Sequence, residues 1–152
     1  MKIEGSFDLD VPVDEAWRYI RDPQFVASCL PGCESVKEIT PNIYMATLAF
    51  SLRPLNMRFN LEVEILSETL NSEVQFRSRG EEGGRASTVS SENVLRLVPT
   101  ADGRTSVFYS ADVQVVGRLG RFGLGVMHKR VIAMGRDFAE EFGLRVKSAV
   151  PA

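Results

Sequence analysis

The hydrophobic pattern changes from a long run of strand periods to a long helical period near residue 118, and that change constrains the fold more than any other feature. Over most of the chain before it, apolar and polar residues alternate as β-strands require. Over residues 118–147 apolar residues instead recur every three to five positions, which is typical of one broad helical stripe. The only long partner for such a stripe is the apolar face of a sheet, so we predict an α+β fold with a sheet curved around one C-terminal helix. The stripe consists of Phe122, Met127, Val131, Met134, Phe138 and Phe142.

The alternating part of the chain predicts seven strands, mostly joined by short turns. The clearest two cover residues 44–52 and 57–65, where apolar side chains share one face. Residues 53–56 and 80–84 have the composition of turns. Short turns between successive strands favour an antiparallel sheet in meander order. Other strand patterns lie at residues 3–11, around Val74 and Phe76, at residues 86–98 and at residues 105–116.

Two short helices are predicted directly after the first strand. Pro12 ends that strand, and residues 13–20 carry apolar side chains at helical spacing. Asp22 and Pro23 are typical of an N-cap and a first helical residue, so a second helix is expected through about Ser28. The proline and glycine of residues 30–32 end it.

The composition limits the classes of protein to which this chain can belong. The 152 residues fit one domain, residues 1–152, and a net charge of -2 lacks the basic excess typical of nucleic-acid binders. No apolar run resembles a signal peptide or approaches a membrane span, so a cytoplasmic location is expected. Cys29, Cys33 and His128 are too few for a zinc site, and we predict no metal and no cofactor. The two cysteines are expected to be packing residues, with a strained disulfide as the alternative.

The order of elements resembles the helix-grip fold of START-like (SRPBCC) domains, and particular residues resemble one family within it. Trp17, the Asp22-Pro23 pair and residues 29–34, Cys-Leu-Pro-Gly-Cys-Glu, are similar to a signature of the carbon monoxide dehydrogenase G-subunit family. Residues 109–113, together with Gly117 and Gly123, resemble that family's last strand and the entry to its final helix. The resemblance implies a seven-stranded antiparallel sheet around the long helix, with an apolar cavity between them.

A set of large apolar residues is predicted to line that cavity. Core packing explains most of them, but one helix does not fill such a wide sheet, so some are expected to face a ligand. Tyr109 adds a hydroxyl that can orient the ligand. The predicted ligand-binding residues are Phe25, Val26, Leu30, Phe50, Met57, Phe59, Phe76, Tyr109, Phe122, Met127, Met134 and Phe138.

The leading functional hypothesis is a non-enzymatic accessory or carrier protein that binds a lipophilic small molecule, such as a quinone or isoprenoid-like compound. The resemblance adds a molybdenum hydroxylase of the carbon monoxide dehydrogenase type as its partner. Apolar residues beside cations also favour contact with a partner protein or with the inner face of a membrane. The residues concerned in that contact are Arg118, Leu119, Arg121 and Phe122.

Two alternatives remain open. One is a small cyclase, hydrolase or dehydratase that uses His128 and Tyr109 as acid and base. We assign no catalytic residue, because the serines lie in strand patterns and Glu62, Glu64, Glu81 and Glu82 are expected on solvated faces or in a turn. The other alternative is an assembly factor that acts through its surface.

Overall fold

A computed structural model of the chain describes residues 1–52, 55–83, 87–117 and 124–149. Within these residues the chain forms seven strands and three helices, in the predicted order. The elements are β1 (Lys2–Leu9), α1 (Val13–Ile20), α2 (Pro23–Cys29), β2 (Cys33–Thr40), β3 (Ile43–Leu52), β4 (Leu55–Thr69), β5 (Glu73–Glu82), β6 (Ser87–Pro99), β7 (Thr105–Gly117) and α3 (Leu124–Ala149).

All seven strands belong to one antiparallel sheet, as the sequence predicts. Its order is β1-β7-β6-β5-β4-β3-β2, so β2 to β7 form a meander. β1 pairs with the last strand, with Ile3 opposite Ala111 and Gly5 opposite Tyr109. The first two strands therefore lie at opposite edges of the sheet. α1 and α2 carry the chain from one edge to the other.

The start of α2 follows from its first residues. The Asp22 carboxylate accepts hydrogen bonds from the backbone N–H groups of Gln24 and Phe25, at 3.1 and 3.2 Å. Pro23 occupies the first turn, where its missing N–H costs nothing. The predicted cap is confirmed.

The β5 strand is longer than its sequence suggests. The predicted turn at residues 80–84 is wrong at its start, because Gly80 and Glu82 lie within the strand. Gly80 lacks a side chain because a Cβ there would collide with the Leu61 side chain and the Asn60 carbonyl. Glu82 is buried rather than solvated. The predicted turn at residues 53–56 is also too long, since Leu55 already pairs with Leu52.

Two separate hydrophobic clusters hold α3 to the rest of the molecule. Near its C-terminal end, Phe142 and Val146 are buried against α1, α2 and one end of the sheet. Near its N-terminal end, Met127 packs on Phe50, Met57 and Phe59 from β3 and β4. The helix packs most closely on β1 and α2. Between the two clusters, Gly135 of α3 approaches Tyr109 of β7, and a space remains beside this contact. The first predicted helical residues, 118–123, lie outside the described residues.

Candidate functional site

A cavity of about 480 Å³ lies between the concave face of the sheet and α3. Its lining is almost wholly apolar and comes from the strands β1 to β7 and all three helices. Strand alternation explains the lining, because every second side chain of β3 to β7 points to this face. Leu48, Leu61, Val63 and Ile65, for example, are lining residues of β3 and β4. The volume falls within the ~300–1,000 Å³ range of small-molecule sites.

Nine of the twelve residues predicted from the sequence line this cavity. Their binding of a ligand stays a prediction, but the structure does bring them together around one space. They are Val26, Leu30, Phe50, Phe59, Phe76, Tyr109, Met127, Met134 and Phe138.

Of the other three predicted residues, two do not line the cavity and one lies outside the described residues. Phe25 packs in the core instead, with its ring centroid 4.7 Å from that of Tyr19 and 5.2 Å from that of Phe142. Met57 is buried in the cluster that holds the N-terminal part of α3. Phe122 lies outside the described residues. Apolar character alone does not separate packing from lining positions, which explains why these residues could not be distinguished from the sequence.

The Tyr109 side chain crosses from β7 toward α3 between two glycines, Gly5 of β1 and Gly135 of α3. A Cβ on Gly5, its partner in β1, would overlap the Tyr109 ring and hydroxyl. A Cβ on Gly135 of α3 would lie 3.3 Å from the Tyr109 hydroxyl oxygen. The absence of side chains at both positions therefore makes room for this ring at the cavity wall.

A polar cluster interrupts the apolar lining on β5 and β6. The hydroxyl oxygens of Ser78 and Ser91, which are paired across the two strands, lie 2.5 Å apart. The Asn93 amide donates to the Ser91 hydroxyl at 2.9 Å and to the Phe76 carbonyl at 3.4 Å. All three polar residues line the cavity.

An arginine borders the cavity near α1. The Arg21 guanidinium donates to the Glu68 carboxylate at 2.7 Å and to the Tyr44 hydroxyl at 3.4 Å. Burial opposes the charge of Arg21, but Tyr44 and Glu68 outweigh it and raise the pKa of the guanidinium. The Tyr44 hydroxyl in turn donates to the Pro41 carbonyl at 2.8 Å. These contacts join the end of α1 to the β2–β3 turn, through Tyr44, and to the end of β4.

A second arginine joins α3 to the end of β3. The Arg130 guanidinium carbon lies 5.2 Å from the centroid of the Phe50 ring, within cation–π range. Its Nε donates to the Ser51 carbonyl at 3.4 Å. Phe50, whose ring Arg130 contacts, lines the cavity.

The residues proposed for catalysis do not form a site. His128 is exposed on α3 and is not a lining residue of the cavity, contrary to the position that the enzymatic alternative requires.

Burial raises the pKa of both the Cys29 and Cys33 thiols, which disfavours the reactive thiolate. Both cysteines are free, and the described residues hold no cluster of three or more His, Cys, Asp and Glu residues suited to a metal ion.

The model of the CoxG family, the G-subunit family of carbon monoxide dehydrogenase, matches residues 5–147. This chain belongs to that family. No curated protein sequence matches it significantly.

Solved structures confirm the helix-grip fold of this CoxG family member. A conserved protein from Geobacillus kaustophilus is 22% identical, with a TM-score of 0.90, and the match covers 98% of this chain and 97% of that one. A START superfamily protein from Mycobacterium smegmatis is 12% identical, with a TM-score of 0.77 and coverage of 98% and 99%. The Zhui aromatase/cyclase from Streptomyces sp. R1128 is 14% identical, with a TM-score of 0.74 and coverage of 100% and 96%. At these identities the likeness shows the fold alone.

Residues 29–34, which resemble a signature of the CoxG family, have a structural role beside the cavity. Gly32 has a φ of +84°, and a Cβ there would collide with the Ala49 carbonyl, so this turn requires glycine. The Ala49 N–H donates to the Gly32 carbonyl at 2.7 Å. Glu34 accepts two hydrogen bonds from the Arg58 guanidinium, at 2.5 and 3.0 Å. The signature thus attaches the α2–β2 turn to β3 and β4, while its Leu30 and Cys33 line the cavity.

Several cavity residues of this CoxG family member were not predicted from the sequence. The most informative are Ser78, Asn93 and Gly135, which are not large apolar residues. A signal was available for the first two, because Ser78 shares a strand face with Val74 and Phe76 and Asn93 shares one with Leu95. A polar residue on an apolar strand face is expected inside the protein. Gly135 had no such signal, since only its contact with Tyr109 explains it.

Among the described residues, no helix is both long enough and apolar enough to cross a membrane.

Proposed function

We propose that this protein binds a lipophilic small molecule in the cavity between its sheet and α3. The observation that carries the proposal is the lining: a space of about 480 Å³ is surrounded by apolar side chains from the whole width of the sheet and from the helices. Water gains few hydrogen bonds there, whereas an apolar ligand would remove that surface from water. Membership of the CoxG family and the helix-grip fold support the same role.

The cavity favours this proposal over an assembly factor whose interior is filled by its own side chains. Interiors without ligand sites are close-packed, with few voids larger than one water molecule. The space between the two clusters around Met127 and Phe142 is far larger than that. The exposed position of His128 gives the enzymatic alternative no comparable support.

We further propose that the ligand is a quinone or isoprenoid-like compound and that the protein serves a molybdenum hydroxylase of the carbon monoxide dehydrogenase type. Family membership supports the partner, and the volume and apolar character of the cavity support the ligand class. Exchange of such a ligand would take place at a membrane surface, where residues 118–122 offer cations beside apolar side chains.

Binding of diphenylhexatriene tests the central proposal, because this pure hydrocarbon fluoresces only in apolar surroundings. The chain has one tryptophan, Trp17, which is buried near α2 and can transfer energy to the bound probe. Wild-type protein is expected to show saturable probe fluorescence with quenching of Trp17. An absence of saturable binding would overturn the proposal.

A pair of variants on β3 locates the bound probe. Ala46 lines the cavity, so Ala46→Phe places a ring in it and is expected to weaken binding at least tenfold. The neighbouring Met45 is exposed on the opposite face, so Met45→Phe is the matched control and is expected to bind normally. Equal binding by both variants would place the probe elsewhere.

The ligand class, the hydroxylase partner and the membrane contact are each tested by a separate measurement. Mass spectrometry of gently purified protein is expected to find a quinone or isoprenoid that is absent from Ala46→Phe. The purified hydroxylase from the same genome is expected to reduce quinone bound to the wild-type protein faster than free quinone. Equal rates would remove the hydroxylase from the proposal and leave ligand binding intact.

Vesicle sedimentation of an Arg118→Gln/Arg121→Gln variant tests the membrane contact, and unchanged sedimentation would exclude it.

A further inference from the structure

We infer that the ligand carries a hydrogen-bond acceptor, such as a carbonyl oxygen, and that this group lies against Ser78 and Ser91. The inference rests on the proposed function and specifies its ligand class. A purely hydrocarbon ligand would need no polar group at this depth. The sheet nevertheless places hydrogen-bonding side chains on its concave face, in the stretch between the two hydrophobic clusters.

The orientation of these side chains follows from strand alternation. Ser78 shares the inner face of β5 with the buried Val74, and Ser91 shares the inner face of β6 with the buried Leu97. The two strands pair Ser78 directly with Ser91, which is why their hydroxyl oxygens lie only 2.5 Å apart. Neither hydroxyl can therefore turn to bulk solvent on the convex face without breaking this contact.

The Ser78–Ser91 pair has one hydroxyl proton that can be donated to a ligand. The two hydroxyl groups have two protons, and one of them is shared in the Ser78–Ser91 hydrogen bond. The Ser91 oxygen also accepts a proton from the Asn93 amide, at 2.9 Å. Whichever serine donates to the other, one hydroxyl proton is left without an acceptor among the described residues. That proton lies at the wall of the cavity, which suits an acceptor atom of the ligand.

The cost of leaving this donor unsatisfied gives the pair its selectivity. A donor that is covered by an apolar ligand loses its contact with water, whereas a carbonyl restores a hydrogen bond. One such bond corresponds to about fivefold in affinity. Shape and apolar contact with the rest of the lining set the remaining affinity, and these do not distinguish a carbonyl from a methylene group.

A matched pair of probes tests this inference. 2-Acetylnaphthalene and 2-isopropenylnaphthalene have nearly the same shape, and only the first has a carbonyl acceptor. Each probe displaces bound diphenylhexatriene, and the ratio of their dissociation constants measures the preference for the carbonyl. Comparing this ratio between variants cancels the different solubilities of the two probes.

The proton count predicts a non-additive result. The double variant Ser78→Ala/Ser91→Ala is expected to lose the preference, by about fivefold in the ratio. Each single variant keeps one hydroxyl with its proton free and is expected to retain most of the preference. Ser90→Ala removes a hydroxyl from the opposite face of the same strand and is the control, with no change expected.

The carbonyl stretching band of bound 2-acetylnaphthalene gives a second, spectroscopic readout. It is expected to lie below its frequency in a hydrocarbon solvent, and to return toward that frequency in the double variant. A band at the hydrocarbon frequency in wild-type protein, or an unchanged ratio in the double variant, would overturn the inference. Diphenylhexatriene would still bind in that case, so the proposed function would stand. A wild-type protein that fails to bind diphenylhexatriene at all would overturn both.

Discussion

The hydroxyl oxygen of Tyr109 on β7 lies so close to Gly135 on α3 that a Cβ at that glycine would stand 3.3 Å from it. This is tighter than ordinary van der Waals contact, so one of the two groups would have to move. On its other side the ring lies over Gly5 of β1. The position of α3 above the sheet, and with it the width of the cavity, therefore depends on the absence of a side chain at Gly135.

Two glycines of α3 should respond differently to substitution by alanine. Gly143 has open space around its Cβ position, so Gly143→Ala is expected to stabilise the protein by up to ~1 kcal/mol through helix propensity. Gly135→Ala gains the same propensity but pushes against Tyr109, so its gain should be smaller or negative. Chemical denaturation of both variants measures the difference. Equal stabilisation would show that the Tyr109 side chain moves aside without a measurable cost in free energy.

Gly5 and Tyr109 should be energetically coupled. The Cβ of Gly5→Ala overlaps the Tyr109 ring, and such overpacking is expected to cost about 1–3 kcal/mol. In a Tyr109→Ala background the same substitution has room and should cost little. A double-mutant cycle on the free energy of unfolding measures this coupling. Additive effects of the two substitutions would argue against the close contact.

Phe142 is expected to be a major contributor to stability. Its side chain is fully buried, and its ring lies 6.1 Å from that of Phe7 and 5.2 Å from that of Phe25, in edge-to-face contacts. Phe142→Ala should lower the free energy of unfolding by about 3–5 kcal/mol. Leu144→Ala, at an exposed position of the same helix, is the control and should change it by less than ~0.5 kcal/mol.

The ion pair between Glu34 and Arg58 should make a pH-dependent contribution to stability. The Arg58 guanidinium donates two hydrogen bonds to the carboxylate and lowers the pKa of Glu34. A lowered folded-state pKa means that the stabilisation is present above the unfolded-state pKa of about 4.3 and is lost as the pH falls through the folded-state value. Thermal unfolding of wild type and Glu34→Gln should therefore differ at pH 7 and converge in acid. Because the pair is exposed, the difference should be small and should shrink in high salt. A difference that grows toward low pH would contradict this account.

Arg130 should slow the release of a ligand from the cavity. Its guanidinium lies over Phe50, a lining residue, and joins α3 to the end of β3. Loss of this contact in Arg130→Gln is expected to speed diphenylhexatriene dissociation about two- to fivefold. Lys129→Gln removes the same charge from the neighbouring exposed position and should leave the rate unchanged. Equal rates for the two variants would show that Arg130 does not close the cavity.

Local patterns predicted most of the secondary structure because their causes are local. The Asp22 cap, the limits of α1 and the alternation along β3 and β4 depend on neighbours in sequence, and the structure confirms each of them. The turn at residues 80–84 was wrong for a non-local reason. Gly80 is a glycine because Leu61 and Asn60 of β4 lie against it.

The lining of the cavity was only partly predictable. Phe25 and Phe76 are both apolar residues in amphipathic elements, yet one packs on Phe142 and the other lines the cavity. The apolar periodicity around these two residues is of the same type, so the sequence could not show which of them packs in the core and which lines the cavity. The polar cluster around Ser91 was visible as single residues, but its hydrogen bonds appear only when β5 and β6 pair.

The change of hydrophobic period near residue 118 determined the architecture by itself, because a long apolar stripe and an alternating sheet have no other way to leave water. The pattern did not determine how much of the helix contacts the sheet. Only the tertiary structure decided that β1 pairs with β7, that α3 packs into two clusters around Met127 and Phe142, and that Gly135 meets Tyr109 between them. A single helix is narrower than a seven-stranded sheet, so contacts at those two places leave a cavity between them, and the position of that cavity depends on long-range packing that no local pattern encodes.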